Sequence, residues 1–320
     1  MDPTATPLTL ADPRLAGPLA VFPVFGPVPT LAYRAFADAA AHGAVVMELA
    51  AAASVNRLLV RNPTDLPLLL YEGEQVQGAQ QDRALDASVL VGAGAQAQVP
   101  VSCVEQGRWD TTRRHESFKP APYADDPSLR RLKRESSLHS AEQGLAGRPA
   151  QGAVWQEVGS RLRRFAVASE SSRFGDLFEQ RRGEIGAFAD AVEPAAGQVG
   201  ALACVGGAPV ALDVVSRPEA FAALHDRLVR GYALEALAAL DGHVPQGAAP
   251  PAWWPDADPA AARTFLARAL TAARRPLPTP GMGEAHALVA PRLVGGALTC
   301  EGELIALSAF PRGRRAPGGA

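Results

Sequence analysis

Apolar and polar positions alternate with a period of two over short stretches in the first third of the chain. After residue 150 a period near 3.6 takes over for several longer runs. The alternation predicts strands over 19–25, 44–49, 55–60, 67–71, 75–78, 84–91 and 97–105. Asn62-Pro63 punctuates the series, and Gly92-Ala93-Gly94 reads as a hairpin joining its last two members. Strands this close leave no room for crossover helices, so the sheet is expected to be mostly antiparallel. A helix is predicted over 31–42, with Gly43 past its C-terminus. Further helices are predicted over 153–168, 174–192, 218–240 and 260–273. In 218–240, Pro218 suits the first turn, and Phe221, Leu224, Leu228, Tyr232 and Leu237 mark one buried face; His225 lies on its flank. A hairpin over Gly206-Gly207 joins 197–205 to 209–215, and strands over 285–290, 292–299 and 303–310 close the chain, with a turn at Glu301-Gly302. Residues 1–18 and those from Pro311 onward read as loose ends. The expected class is α+β: an antiparallel core, sandwiched or cupin-like, with a helical middle. One unit over 15–312 is expected, divided into a β-rich part (15–109), a polar loop with helices (110–195) and a closing part (196–312).

Composition narrows the function. A hydrophobic share of 48% is enough for a real core, and a net charge of −2 gives the whole surface no field for nucleic acid or an acidic membrane. Cys103, Cys204 and Cys300 are far apart and odd in number, which fits neither a disulfide framework nor a zinc site. The six histidines show no ligand spacing. The first residues lack the basic and apolar regions of a secretion signal, and no apolar run reaches the length of a membrane span. A cytoplasmic protein is the expectation. Phosphate loops, dinucleotide fingerprints, nucleophile elbows and zinc-protease helices are missing. Arg108, Arg113, Arg114, Lys119, Arg130, Arg131, Lys133 and Arg134 crowd the segment after the strands. Such a run is ordinarily a solvated loop and helix face; its functional alternative is a basic wall for an anionic ligand.

The densest chemistry lies in 68–109. If 72–74 is extended, Glu72 and Glu74 point the same way, as do Cys103 and Glu105. These carboxylates, with Glu48 nearby, would suit general acid–base work or a divalent cation such as Mg²⁺ held through oxygen. Cys103 would be a nucleophile if Arg108 lowered its pKa, and otherwise a small buried residue. Gln80 and Gln81 offer donors and acceptors to hydroxyls or amide edges, Arg83 and Arg108 suit phosphates, and Trp109 suits stacking. The plainer reading is a Glu-Gly turn in water, or an internal hydrogen-bond network.

Glu72-Gly-Glu-Gln-Val-x-Gly-Ala-x-Gln81, Asp82-Arg83 and the string Pro100-Val-Ser-Cys-Val-Glu-x-Gly-Arg-Trp109 resemble the ARG and Rhodanese-Phosphatase-superfamily-associated proteins, where ARG is ADP-ribosylglycohydrolase. Phe22-Pro23, Trp155, Gly231-Tyr232-Ala233 and Leu307-Ser308-Ala309-Phe310 extend the likeness to about residues 15–312. The resemblance implies a connection with NAD or ADP-ribose metabolism and a small anionic ligand. It carries over Glu72, Glu74, Gln81, Arg83, Cys103, Glu105, Arg108 and Trp109 without assigning their roles. Ala306 stands where a histidine would be expected. Three functions follow: an enzyme acting on an ADP-ribose-like or phosphorylated nucleoside compound, a module that only binds one, and a structural or partner-binding protein.

Overall fold

Strand Leu19–Phe25 is buried on both faces, and its partners come from the residues just before it and from a segment much further on. In the computed structural model, which describes residues 7–49, 54–143, 148–241 and 257–312, it pairs on one side with Thr9–Leu10 and Arg14–Ala16. On the other side it pairs with Gly200–Val205. The sheet continues through Ala208–Val215, Glu303–Pro311, Leu293–Cys300, Glu284–Ala290 and Ala273–Leu277, nine antiparallel strands among the described residues. The period-two pattern accounts for its two apolar faces. Val21, Ala201, Val215 and Phe310 face the long helix Pro218–Leu240. Phe22, Leu202, Leu212 and Leu307 face Phe265 and Leu266 of the helix Pro259–Leu270.

The strands of the first third fold separately. Gln96–Cys103, Arg57–Arg61, Val45–Met47, Ser117–Ala124, Glu74–Gln77 and Arg83–Leu85 close into an antiparallel barrel. Its interior is filled by alternate residues such as Val46, Leu58, Val60, Val76, Leu85, Val99 and Phe118. Three short strands (Val89–Val91, Leu68–Leu70 and Arg34–Ala35) form a small sheet of their own, whose last pair is parallel. The α+β class and the antiparallel pairing are as read from the sequence, with a closed barrel as the arrangement. Among the described residues no helix is long and apolar enough to cross a membrane.

Several expectations change. The run 84–91 is two strands, because Asp86-Ala87-Ser88 breaks it and the halves enter different sheets. Gly92–Gly94 therefore does not join a hairpin; Val89–Val91 pairs with Leu68–Leu70 instead. The helix over 31–42 shortens to Phe36–Ala41 behind the strand Arg34–Ala35, and 174–192 divides into Phe174–Gln180 and Arg182–Ala191. The lead-in 1–18 contributes two strands. Ser117–Ala124 is a strand despite Pro120 and Pro122. The basic segment is only in part a solvated face: Lys119 is exposed, but helix Pro127–Glu142 buries Arg130, Lys133 and Arg134. His225 is buried against Phe221, and burial lowers its pKa to about 4. Trp253-Trp254 and the tail beyond Arg312 lie outside the described residues.

Candidate functional site

Arg130, Lys133 and Arg134 follow one another at i, i+3 and i+4, which places all three on one face of their helix. That face lies between the barrel and the large sheet. Arg130 grips Asp213 with two bonds of 2.5 and 2.9 Å, and Asp213 also accepts from Tyr71 and Tyr232 hydroxyls at 2.6 Å each. The guanidinium stacks over the Phe310 ring, 4.8 Å from its centre. Gly73 is required here: a Cβ would stand 2.7 Å from Arg130. Lys133 Nζ lies 2.9 Å from Asp86 and 3.0 Å from Asp125. Arg134 forks onto Glu72 at 2.6 and 2.7 Å, and Ser308 donates to the same carboxylate. Burial alone would raise the Glu72 pKa, but Arg134 and Arg130 outweigh it and hold the carboxyl below its ordinary value. Removing one member of such a buried pair costs about 3–5 kcal/mol, because the other is left uncompensated. These ions act as mortar between two β-structures.

Glu72 and Glu74 do not share a face. Gly73 takes φ +86° and the backbone turns, with Glu74 N–H donating to Tyr71 C=O at 3.1 Å. Glu74 folds back to accept from the Tyr71 amide at 2.7 Å, 3.8 Å from Arg227. Burial pushes it to about 7, against the pull of Arg227.

The remaining candidates converge at one end of the barrel. Cys103 pairs across the ladder with Arg83, which in turn opposes Val76, so both side chains sit on the interior face beyond Val101 and Leu85. Glu48 follows Val46 by two and points the same way. Residues 78–82 and 104–116 fold over this mouth. There Glu105 is held by Arg108 at 2.6 and 2.8 Å, by the Asp82 amide at 3.1 Å and by Ser171 at 2.9 Å. Burial would raise Glu105, but these donors bring it below its ordinary value. Asp82 takes Arg173 at 2.6 Å and Arg108 at 3.2 Å. Gln81 donates to the Glu105 carbonyl at 2.9 Å and accepts from Arg83 at 3.0 Å. Arg108 is thus committed to carboxylates, and the cation beside the Cys103 thiol is Arg83. Burial still pushes that thiol up, and the cation that draws it down is Arg83 rather than the expected Arg108. Trp109 is the exposed member, its ring 5.7 Å from the Arg83 guanidinium carbon. Among the described residues no group of three or more acids, histidines or cysteines is placed to hold a metal ion.

An open cleft lies elsewhere, on the outside of the barrel. It measures about 570 Å³ and runs between Arg57, Gln98 and Pro100 of the barrel, Arg134 and Ser137 of the basic helix, Arg148, and the segment Leu277–Pro280. Asp86 borders it, raised by burial against the opposing pull of Lys133. A smaller recess of about 40 Å³ continues it past Ser88 to His286. Of the cleft residues only Pro100 falls within a motif, and Arg134 stands only within the basic run. The one sequence signal for Asp86 was its break in the apolar run 84–91.

The domain family described as ARG and Rhodanese-Phosphatase-superfamily-associated protein matches residues 7–310. Neither a curated protein nor a solved structure matches the chain.

Proposed function

Since the chain belongs to the ARG and Rhodanese-Phosphatase-superfamily-associated protein family, we propose that it binds an anionic ligand of the ADP-ribose-like, phosphorylated-nucleoside class in the cleft on the outside of the barrel. The observation that carries this reading is the lining: three arginines stand there with one carboxylate, and with Arg134 spent on Glu72 and Asp86 on Lys133, Arg57 and Arg148 are left for a ligand. A volume of about 570 Å³ falls within the range that encloses a small organic ligand. Arg57 and Arg148 would fork onto phosphate oxygens. Pro278 and Pro280 offer an apolar wall to a ring face, and Gln98 and Ser137 offer partners to hydroxyls. Calorimetric titration with ADP-ribose tests it. Binding should weaken with salt and fall at least about tenfold in the Arg57→Ala/Arg148→Ala double variant, a loss of about 1.4 kcal/mol or more. No binding of ADP-ribose, AMP or pyrophosphate, or binding indifferent to the double variant, would overturn it.

A catalytic form of the same reading is favoured by Asp86. It is the carboxylate at the cleft whose pKa is raised, the condition a general acid or base needs. Glu72, Glu74 and Glu105 do not line the cleft and are already held by Arg134, the Tyr71 amide and Arg108, so they serve better as wall supports. If turnover occurs, Asp86→Asn should abolish release of product from ADP-ribose while leaving its binding. Undiminished release by that variant would dismiss Asp86 from the role.

A further inference from the structure

The buried ions of this protein meet their partners at 2.5–3.0 Å in the Arg130, Lys133 and Arg134 pairs. One pair at the mouth of the barrel breaks that habit. Glu48 and Arg83 are both buried, yet their nearest charged atoms stand 3.7 Å apart. The Gln80 amide and Arg114 also draw on Glu48, yet neither of its oxygens makes a well-formed hydrogen bond, nor do Nε and one terminal nitrogen of Arg83, nor the Gln80 Oε1. Leaving a buried polar atom unpartnered is destabilising, and more so for a charge. Natural proteins rarely tolerate five such atoms in one place.

The five atoms have a definite chemistry. Three are oxygens that accept and two are guanidinium N–H groups that donate. One water donates twice and accepts twice, so a single water cannot answer them all. A pair of neighbouring hydroxyls can. Both O–H groups donate to the two Glu48 oxygens, their oxygens accept from the two Arg83 nitrogens, and a third hydroxyl reaches Gln80. Trp109, 43% exposed at the edge of the same group, offers the flat apolar surface on which the C–H face of a sugar ring rests. Barrel mouths are a common seat for small ligands. We propose that the mouth of this barrel is a second binding site, for a polyhydroxyl group of sugar type, with Glu48, Gln80 and Arg83 as its hydrogen-bonding groups and Trp109 as its rim. The site is independent of the outer cleft and stands whether or not the cleft binds nucleotides.

Ligand-observed NMR titration of the full chain with D-ribose, D-glucose and myo-inositol tests this, with cyclohexanol as a single-hydroxyl control. At least one polyol should bind saturably and cyclohexanol should not. Glu48→Ala should weaken that binding at least about tenfold. Trp109→Ala, a surface change, should weaken it too while leaving the melting midpoint unchanged, and it decides the matter if Glu48→Ala fails to fold. The Arg57→Ala/Arg148→Ala variant should bind the polyol as the parent does, which separates this site from the cleft. No saturable binding of any of the three, binding retained in Trp109→Ala, or a crystal structure at saturating ribose showing only ordered water between Glu48 and Arg83 would overturn the proposal.

Discussion

Glu74 makes the fold sensitive to pH in an unusual direction, and Glu74→Gln isolates the effect. Its folded pKa of about 7 lies above its ordinary 4.5 because burial outweighs Arg227. The folded chain therefore holds this proton more tightly than the unfolded chain does. The stability linked to it is fully present below 4.5 and is lost as pH rises through about 7. The gap amounts to about 3 kcal/mol in all, of which about 2.5 kcal/mol falls between about pH 5 and pH 8. Glutamine keeps an oxygen for the Tyr71 amide and carries no charge to desolvate. The variant should thus gain on the parent by about 2.5 kcal/mol over that interval. Urea midpoints of both chains across the pH series measure it, other titrating groups cancelling in the difference. A difference that stays flat would mean Glu74 is ionised throughout and Arg227 holds it, contrary to this account.

Three further outcomes are expected. Asp213→Asn should destabilise by about 3–5 kcal/mol, since it strands the buried Arg130 charge; a urea midpoint near the parent's would contradict the mortar role. Gly73→Ala should cost more than Gly302→Ala on thermal melting, because both sites have positive φ (+86° and +79°) but only the first meets Arg130; equal losses would show that the contact is soft. Cys103, Cys204 and Cys300 are buried, with thiols pushed up by burial. A disulfide reagent should label the native chain slowly and the urea-unfolded chain at once, and rapid native labelling of Cys103 would restore it as a reactive thiol.

The parts legible in the sequence were those whose apolar period is met by a neighbour close along the chain. Helix Pro218–Leu240 and the hairpin over Gly206-Gly207 stand where the pattern put them. The basic helix looks different from sequence for a physical reason: Arg130, Lys133 and Arg134 look solvated until Asp213, Asp86 and Glu72 are brought from distant segments to join Asp125 just ahead of the helix. Pro120 and Pro122 hid a strand that bulges between Pro120 and Ala124. Glu72 and Glu74 were paired by counting, which Gly73 defeats by turning the backbone. The 68–109 stretch did announce a polar cluster, but Glu48 and Arg83 become neighbours only when the barrel closes. The outer cleft left almost no trace, because its lining comes from seven separate stretches between Arg57 and Ala287 that share no motif.

The order in which the chain leaves the ribosome bears on strand Leu19–Phe25. All six barrel strands lie within 45–124, so the barrel can close early on short connections. The strand Leu19–Phe25 gains its cover on one edge from Thr9–Leu10 and Arg14–Ala16 at once, yet its other edge stays open until Gly200–Val205 has been made. During that wait the apolar ribbon shows unpaired backbone to any other chain, and Pro23 does not blunt it, because its C=O and ring nitrogen face Ala11 on the edge already covered. Nascent or truncated forms that stop short of Gly200 are therefore expected to stick to one another through this edge, which a light-scattering assay would register.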